Sequence, residues 1–507
     1  MLIYEKTVDG VRHLFGTLGN IPSDDDPQLT YKDANGKEID NIAEFKLFYG
    51  TDKLMKASLQ TLPTEEDIDV NVFIGDVVVI GDGGEEPTYR TSEFDFTLTS
   101  NLTQPLYITQ SAPNALLVDW GDGFIEESPS DETVNFSHTY EEAGNYTVRI
   151  TCAEGATWLL GNSLVNGFIG QYSTKSNTYP TLTRACLKGG AYLRTYSFTQ
   201  CTELTSVTIG EPITDIPANA FFRCVALQNF DIPTSVTRIG AQAFKECTAL
   251  NNIILPEDIA YIDDEAFHGC ESLTSIVIPD KLGGISADCF NGCLSLSSVT
   301  IGVGVKKIWS GAFYLCPLSA VYIKDLSAWC KIGFLGASNP LSIAHNLYLN
   351  GNLVTSLYIP DDITYISSYA FAGASCIKNL ILNEFVKWIG ESAFSDTAIS
   401  SVTIPYSVTE ISNSAFVSCY NLKSVVVGTS SEMQTSLSSM GDACFAGCGE
   451  LESFTIYDTH PPTLGNNGFL LVSINFKIYV PSSAVDAYKS ASGWSDYADK
   501  IMAIPEE

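Results

Sequence analysis

The stretch "IDDEAFHGCESLTSIVIP" occupies residues 262–279, and nearly the same words stand one unit upstream as "IGAQAFKECTALNNIILP" (239–256) and before that as "IPANAFFRCVALQNFDIP" (216–233). Internal repetition with a period between 20 and 50 residues marks a stacked-repeat architecture. Phe198, Phe221, Phe244, Phe267, Phe290 and Phe313 are each 23 residues apart, and Cys201, Cys224, Cys247, Cys270, Cys293 and Cys316 keep the same step. A disulfide framework has spacings set by irregular loops. A fixed step puts every Cys into the same slot of successive units, where it packs as a small hydrophobe. The expectation is six buried free thiols.

Each unit holds two segments that alternate apolar and polar residues as strands do. In the long one, "LTSIVI" (273–278), Leu273, Ile276 and Ile278 point inward; the short one is "IAYI" (259–262). Between the short strand and the next long one lies A-F-x-x-C, read as a tight turn of helix or 3₁₀ helix with Ala, Phe and Cys inward. Pro256 and Pro279 end the long strands, because Pro donates nothing to a ladder. Units of this kind stack at about 4.8 Å, so identical residues form columns along one core. The columns continue at Phe371, Phe394, Phe416 and Phe445. The 58-residue step from Phe313 to Phe371 holds an irregular insertion, 324–360, read as one degenerate coil. "KIYVPSSAVDAYKSASGWSDYADKI" (477–501) gives a last strand and an amphipathic helix, the cap such an array needs.

The A-F-x-x-C-x-x-L core and the 477–501 ending resemble the BspA-like leucine-rich repeats of surface proteins from gut and oral bacteria. That resemblance implies a non-enzymatic adhesive or recognition surface. Upstream, "ALLVDWGDG" (115–123) and "FSHTYEEAGNYTVRI" (136–150) resemble a PKD domain, a small β-sandwich that the resemblance makes a spacer. Residues 1–78, with the turn-rich "VRHLFGTLGNIPSDDDPQLTYKDANGKEID" (11–40), resemble the N-terminal anchor of phage head-fibre or decoration proteins.

The expected organisation is therefore mainly β: a small N-terminal anchor (1–78), a linker (79–91), a PKD-like β-sandwich (92–152), a transition (153–190), a leucine-rich-repeat solenoid of 23-residue units (191–476) and a C-terminal cap (477–507). The 507 residues are 45% hydrophobic and 17% charged, a globular composition. The net charge of −32 argues against nucleic acid and anionic membranes as partners. No stretch approaches the roughly 20 apolar residues that span a bilayer. "MLIYEKTVDGVRHLFG" has no basic region leading into an apolar one, so no secretory signal is expected.

Catalytic chemistry finds no footing. Asp24, Asp25 and Asp26, or Asp119 and Asp122, could hold Ca²⁺, but no EF-hand spacing is present and Asp favours turns for its own hydrogen bonds. His13, His138, His268, His345 and His460 are scattered, with none paired at metal spacing, and His138 reads as a structural hydrogen-bond partner. Cys289 and Cys293, like Cys444 and Cys448, are four apart, but Cys293 and Cys448 fill the repeat slot. "GDGG" (81–84) has neither the helix nor the Lys of a phosphate loop. No enzyme, cofactor or metal is expected.

Binding is expected on the outward columns. Beside the second Ile of the short strands stand Asp215, Arg238, Tyr261, Gly284, Lys307, Tyr365, Trp388 and Glu410. Tyr261, Tyr365 and Trp388 are the candidate contacts, because aromatic rings give large contact area at small entropic cost. The long strands turn outward Thr208, Asp231, Ile254, Val277, Thr300, Tyr322, Tyr358, Ile381, Thr403 and Val426, of which Tyr322 and Tyr358 are the further candidates. The bland alternative is β-propensity, which favours such residues in any strand. The reading is a phage virion protein, anchored to capsid or another virion component through 1–78, that displays the solenoid to a host surface protein or glycan. Its alternative is a bacterial cell-surface adhesin; self-association through the apolar β face is allowed for in both.

Overall fold

The structure is a computed structural model that describes residues 91–97, 116–127, 138–152, 182–187, 193–210, 213–336, 338–429 and 435–505 in full. Of further strands it gives backbone pairing alone, so the anchor reading of 1–78 and the aspartates at 24–26 lie outside the described residues. The chain divides into two compact units, Met1–Ser197 with Ser206–Ile213, and Phe198–Thr205 with Thr214–Glu507.

In the first unit, Gly144–Ala153 and Tyr89–Leu98 pair antiparallel along their whole length, and Leu117–Asp119 and Thr181–Leu187 flank them. Thr181–Leu187 also pairs in parallel with Ser206–Ile209. The expected transition at 153–190 thus contributes a strand to the same sheet as Tyr89–Leu98 and Gly144–Ala153. A second set joins Asn135–Thr139, Thr103–Gln110, Trp158–Leu160 and Ala191–Tyr192.

The W-G-D-G turn shows what its aspartates do. Asp119 Oδ1 accepts the Gly121 amide at 2.9 Å and Asp122 Oδ1 accepts that of Phe124 at 3.0 Å. Asp122 Oδ2 meets His138 Nε2 at 2.5 Å, and the imidazole stacks on both Trp120 and Phe124 with centroids 5.1 Å apart. Burial works against ionisation of Asp122, but the bonds from His138 and the Phe124 amide hold its carboxyl below the usual range. The carboxylates are turn-builders, and no group of three metal-ligating side chains forms among the described residues.

In the second unit the repeat forms parallel coils. Long strands such as Ser275–Val277, Ser298–Ile301 and Ala320–Ile323 pair in register, as do short ones such as Asp215–Ile216, Arg238–Ile239 and Tyr261–Ile262. Leu273, Ile276 and Ile278 are buried as the pattern demands. The phenylalanines stack face to face at 5.2–5.5 Å from Phe198 to Phe313 and at 5.1–5.8 Å from Phe371 to Phe469.

The A-F-x-x-C segment is not the helix or 3₁₀ turn its length suggested. The residues two before and two after each Phe adopt left-handed φ: Gln242 (58°) and Glu246 (58°) around Phe244, Glu265 (56°) and Gly269 (72°) around Phe267. Those reversals aim successive amides alternately. Ala243, Lys245 and Cys247 bond back three residues within their coil, whereas Gln242, Phe244 and Glu246 donate to Asp264, Ala266 and His268 of the next coil at 2.7–3.0 Å. The turn is thereby a third inter-coil ladder. Each thiol adds to it, since Cys224, Cys247, Cys270, Cys293 and Cys316 donate through Sγ to the Phe carbonyl of the preceding coil at 3.0–3.3 Å. The slot therefore selects a weak donor as well as a small hydrophobe. None of the solenoid thiols is joined in a disulfide, as expected; Cys201, in the first coil, is half-buried rather than buried.

The insertion is more ordered than a degenerate coil. Helices Leu326–Cys330 and Leu341–Ala344 fill it, while Gly333–Phe334 and Leu347–Leu349 continue the short-strand and long-strand sheets. Ala370 O, at the position where other coils accept the preceding Phe amide, takes Trp329 Nε1 at 2.9 Å and Asn339 Nδ2 at 3.1 Å. Side chains replace the backbone donors that the missing turn would have supplied. Asn350 (φ 50°) and Gly351 (φ 79°) then turn a two-residue hairpin back onto Asn352–Leu353, the left-handed pair such hairpins require. At the far end Trp494 and Tyr488 are buried, Trp494 Nε1 donates to Pro462 O at 2.7 Å, and Ile501–Ala503 adds a final parallel strand to the cap.

Phe267→Ala removes a ring stacked between Phe244 and Phe290, with neighbours on both sides fixed by backbone bonds. It should cost about 3–5 kcal/mol, read as a large fall in the melting temperature; an unchanged melting temperature contradicts the stack. The thiols give a pH test. Burial pushes Cys247, Cys330 and Cys444 up to about 12 from an ordinary 9.0. A raised folded-state pKa gives stability that is complete below the unfolded value and lost as pH climbs through the folded one. Denaturant titrations should show stability falling above pH ~9 by about 1.4 kcal/mol per thiol per pH unit; a flat profile from pH 8 to 10.5 contradicts it.

Candidate recognition surface

Short strands are two residues long, one in and one out. The inward residue is Ile216, Ile239, Ile262, Ile285, Ile308, Ile366, Ile389 or Ile411, all buried. The outward residues therefore form the column read from the sequence, and Tyr261 is 64% exposed, Trp388 38%, with Tyr365 half-buried.

The structure brings together two of these three. Tyr365 pairs with Trp388 and Trp388 with Glu410 on adjacent strands, and the two rings lie 4.6 Å apart, tilted by 45°. Trp388 Nε1 donates to Ser412 Oγ at 2.5 Å, and Ser412 Oγ donates to Glu410 Oε1 at 3.0 Å. The indole is locked by its own polar edge, so its π surface is what it offers. Tyr261 belongs to a separate short-strand sheet, with Asp215–Ile216 and Arg238–Ile239, and the sheet of Tyr365 starts afresh after the insertion. The expected single strip of three aromatics is thus divided. The ladder of Tyr261 ends at Tyr261–Ile262, a second runs through Gly284–Ile285, Lys307–Ile308 and Gly333–Phe334, and the two short helices, which replace one Phe turn, interrupt that second ladder before Tyr365.

Over Gly284 stands a residue that the sequence did not reveal. Trp309 is half-exposed and its Cζ3 lies 2.5 Å from where a Cβ on Gly284 would stand. Its ring lies over the strip at the Gly284 rung, which has no side chain of its own. The signal was the glycine itself, since a Gly inside a strand often marks a close approach.

On the long strands, Tyr322 pairs with Thr300 on one side and Tyr348 on the other. Tyr322 and Tyr348 stack at 4.8 Å, both half-buried. Tyr358 is not the next rung, as the spacing suggested; it opens a new sheet with Asn379–Ile381, and its hydroxyl donates to Asp361. The hairpin at Asn350–Gly351 intervenes. Ile254 (73% exposed) and Val277 (58%) floor a shallow groove whose wall is Asp280, Lys281 and Lys324, with Lys324 Nζ 3.0 Å from Asp280. Both lysines there are already paired, Lys281 with Asp258.

A family model described as BspA type leucine rich repeat region matches the chain in six copies over residues 191–319 and 341–475. The gap between the two stretches contains the first insertion helix. Among solved structures the chain is similar to a leucine-rich repeat protein from Bacteroides ovatus (22% identity, 60% of this chain and 90% of that one, TM-score 0.34). It is also similar to a leucine rich cell surface protein from Faecalibacterium prausnitzii (22%, 69% and 94%, TM-score 0.37) and to the pneumococcal vaccine antigen PcpA (16%, 69% and 94%, TM-score 0.35). No curated protein matches the chain.

Gly284→Ala tests the placement of Trp309. The added methyl would meet the ring at 2.5 Å and the Lys307 carbonyl at 2.9 Å, so the indole must swing into solvent. Tryptophan emission should shift to the red relative to wild type, with no such shift in a Trp309→Phe background. An identical spectrum would place the indole elsewhere.

Proposed function

The chain belongs to the BspA type leucine rich repeat family, and from that premise we propose that it is a non-enzymatic recognition protein of a bacterial cell surface. Its solenoid is a rigid display frame, and the outward aromatic pair Tyr365–Trp388 is its principal contact with a host or community surface. The observation that carries the reading is that pair: two aromatic rings 4.6 Å apart on an exposed column, with the indole edge fixed by Ser412. Single exposed apolar residues need no explanation; a locked, in-register aromatic pair is a preorganised contact, which lowers the cost of binding. Tyr261, the stacked Tyr322 and Tyr348, and Tyr358 are further contacts on other sheets.

The virion reading depended on residues 1–78, whereas the family match lies wholly within 191–475. It supports the cell-surface alternative better, and that alternative is adopted. Labelled full-length chain should be retained on cultured epithelial cells or mucin-coated wells. The double variant Tyr365→Ala, Trp388→Ala should bind at least about tenfold less, the loss of an aromatic hot spot worth more than about 1.4 kcal/mol, with its melting temperature preserved. Equal retention of a folded double variant would remove this pair from the reading. Antibody against the chain should label intact, unpermeabilised source cells; signal only after lysis would contradict a surface location.

A further inference from the structure

Resting on the recognition reading, we propose that the Tyr365–Trp388 pair is a carbohydrate subsite that takes a neutral pyranose of a surface glycan. Three features of the site specify that chemistry. The platform is aromatic and its indole N–H is occupied by Ser412, so the ring meets a ligand through its π face and not through a directed N–H bond. The axial C–H groups of a pyranose present the flat apolar patch that such a face accommodates.

The flanks of the platform supply the second feature. Glu410 occupies the rung after Trp388, held by Ser412 through one oxygen, and Lys387 stands immediately before Trp388 on the same exposed edge. Neither takes part in an ion pair among the described residues, unlike Lys331, which pairs with Asp362. The second carboxylate oxygen of Glu410 and the ammonium of Lys387 flank the rings as an acceptor and a donor, which suits hydroxyl groups that both give and accept hydrogen bonds. A strongly cationic partner would be repelled by Lys387 and a strongly anionic one by Glu410.

Periodicity is the third. The rungs continue as Tyr365, Trp388, Glu410, Ser439 and Thr463, in register and about 4.8 Å apart. A sugar in an extended glycan advances by about one rung, so neighbouring residues of the same glycan would lie over Glu410 and Ser439, whose side chains are polar.

The test uses the full chain and a panel of neutral oligosaccharides: cellotriose, chitotriose and reduced mucin O-glycans. Arginine-rich and glutamate-rich peptides serve as the charged-protein alternatives. The readout is the fluorescence difference between wild type and Trp388→Phe, with saturation-transfer NMR from protein to sugar protons. At least one oligosaccharide should perturb Trp388 emission. Its affinity should fall by tenfold or more in Trp388→Ala, and severalfold in Glu410→Gln and Lys387→Met, with melting temperatures unchanged. Absence of any oligosaccharide response, or a response to a charged peptide alone, overturns the glycan assignment. So does sugar binding that survives unchanged in folded Trp388→Ala. Cell retention that depends on Tyr365 and Trp388 but is not competed by any sugar would leave the recognition reading standing and remove the glycan. No retention at all would remove the recognition reading.

Discussion

The carbonyl of each repeat phenylalanine is the point on which the solenoid depends. In the central coils it accepts two donors: the amide of the Cys three residues on, within its own coil, and the thiol of the Cys one coil further along. Around it, the amides of Phe and of the two flanking left-handed residues cross to the next coil. One turn thus binds its own shape and the coil-to-coil spacing at once. The buried amides of a tight turn must find partners somewhere, and the partners at hand are the same turns above and below. The stacked rings fill the space inside that backbone cylinder. A coil without the turn would leave carbonyls of its neighbour exposed, which is why the insertion answers with Trp329 and Asn339 at Ala370.

This constraint also creates the surfaces. Because the turn and two strands are pinned at every repeat, each outward position falls at the same place on successive coils, and a residue placed there is held on a rigid strand instead of a loop. Rigidly held aromatic residues bind at small entropic cost. The same rigidity explains the second break in the short-strand column; the first falls between Tyr261–Ile262 and Gly284–Ile285. Once the insertion replaces one turn by two short helices, the short-strand ladder has no register to inherit and restarts at Tyr365. The outward aromatics thus fall into separate groups, Tyr322 with Tyr348 and Tyr365 with Trp388, in place of one long strip.

Much of this was legible in the sequence. The step of 23 fixed the stacked Phe and Cys columns, and alternation fixed which residues of "LTSIVI" face inward and which join Tyr365 and Trp388 on the outside. The turn conformation was not legible because left-handed φ carries no consistent residue mark. Glycine stands at some of these positions, such as Gly269, Gly292 and Gly447, but Gln242, Glu246, Asp288 and Leu315 stand at others. They are held there by the inter-coil bonds, a tertiary effect that overrides local preference. Tyr348 was missed for a different reason. The Asn350–Gly351 hairpin is a strong local signal, but it lies inside a stretch whose lost period hid it. The role of the thiols as donors depends on where the preceding coil's carbonyl lies, which no single repeat reveals. In residues 116–152, "WGDG" and "HTY" stand out in the sequence, and only the three-dimensional pairing of Asp122 with His138 shows what they do.

Amide hydrogen exchange tests the inter-coil turn most directly. The amides of Gln242, Phe244 and Glu246, and of Glu265, Phe267 and Gly269, all cross between coils. They should exchange together and only through opening of the array, orders of magnitude more slowly than exposed turn amides, and as slowly as the strand amides of Ile253 and Ile276. Rapid exchange at Gln242 and Glu246 beside protected strands would mean that the Phe turns are ordinary surface turns. The coils would then be held by their sheets alone, and the solenoid would not depend on the Phe carbonyl.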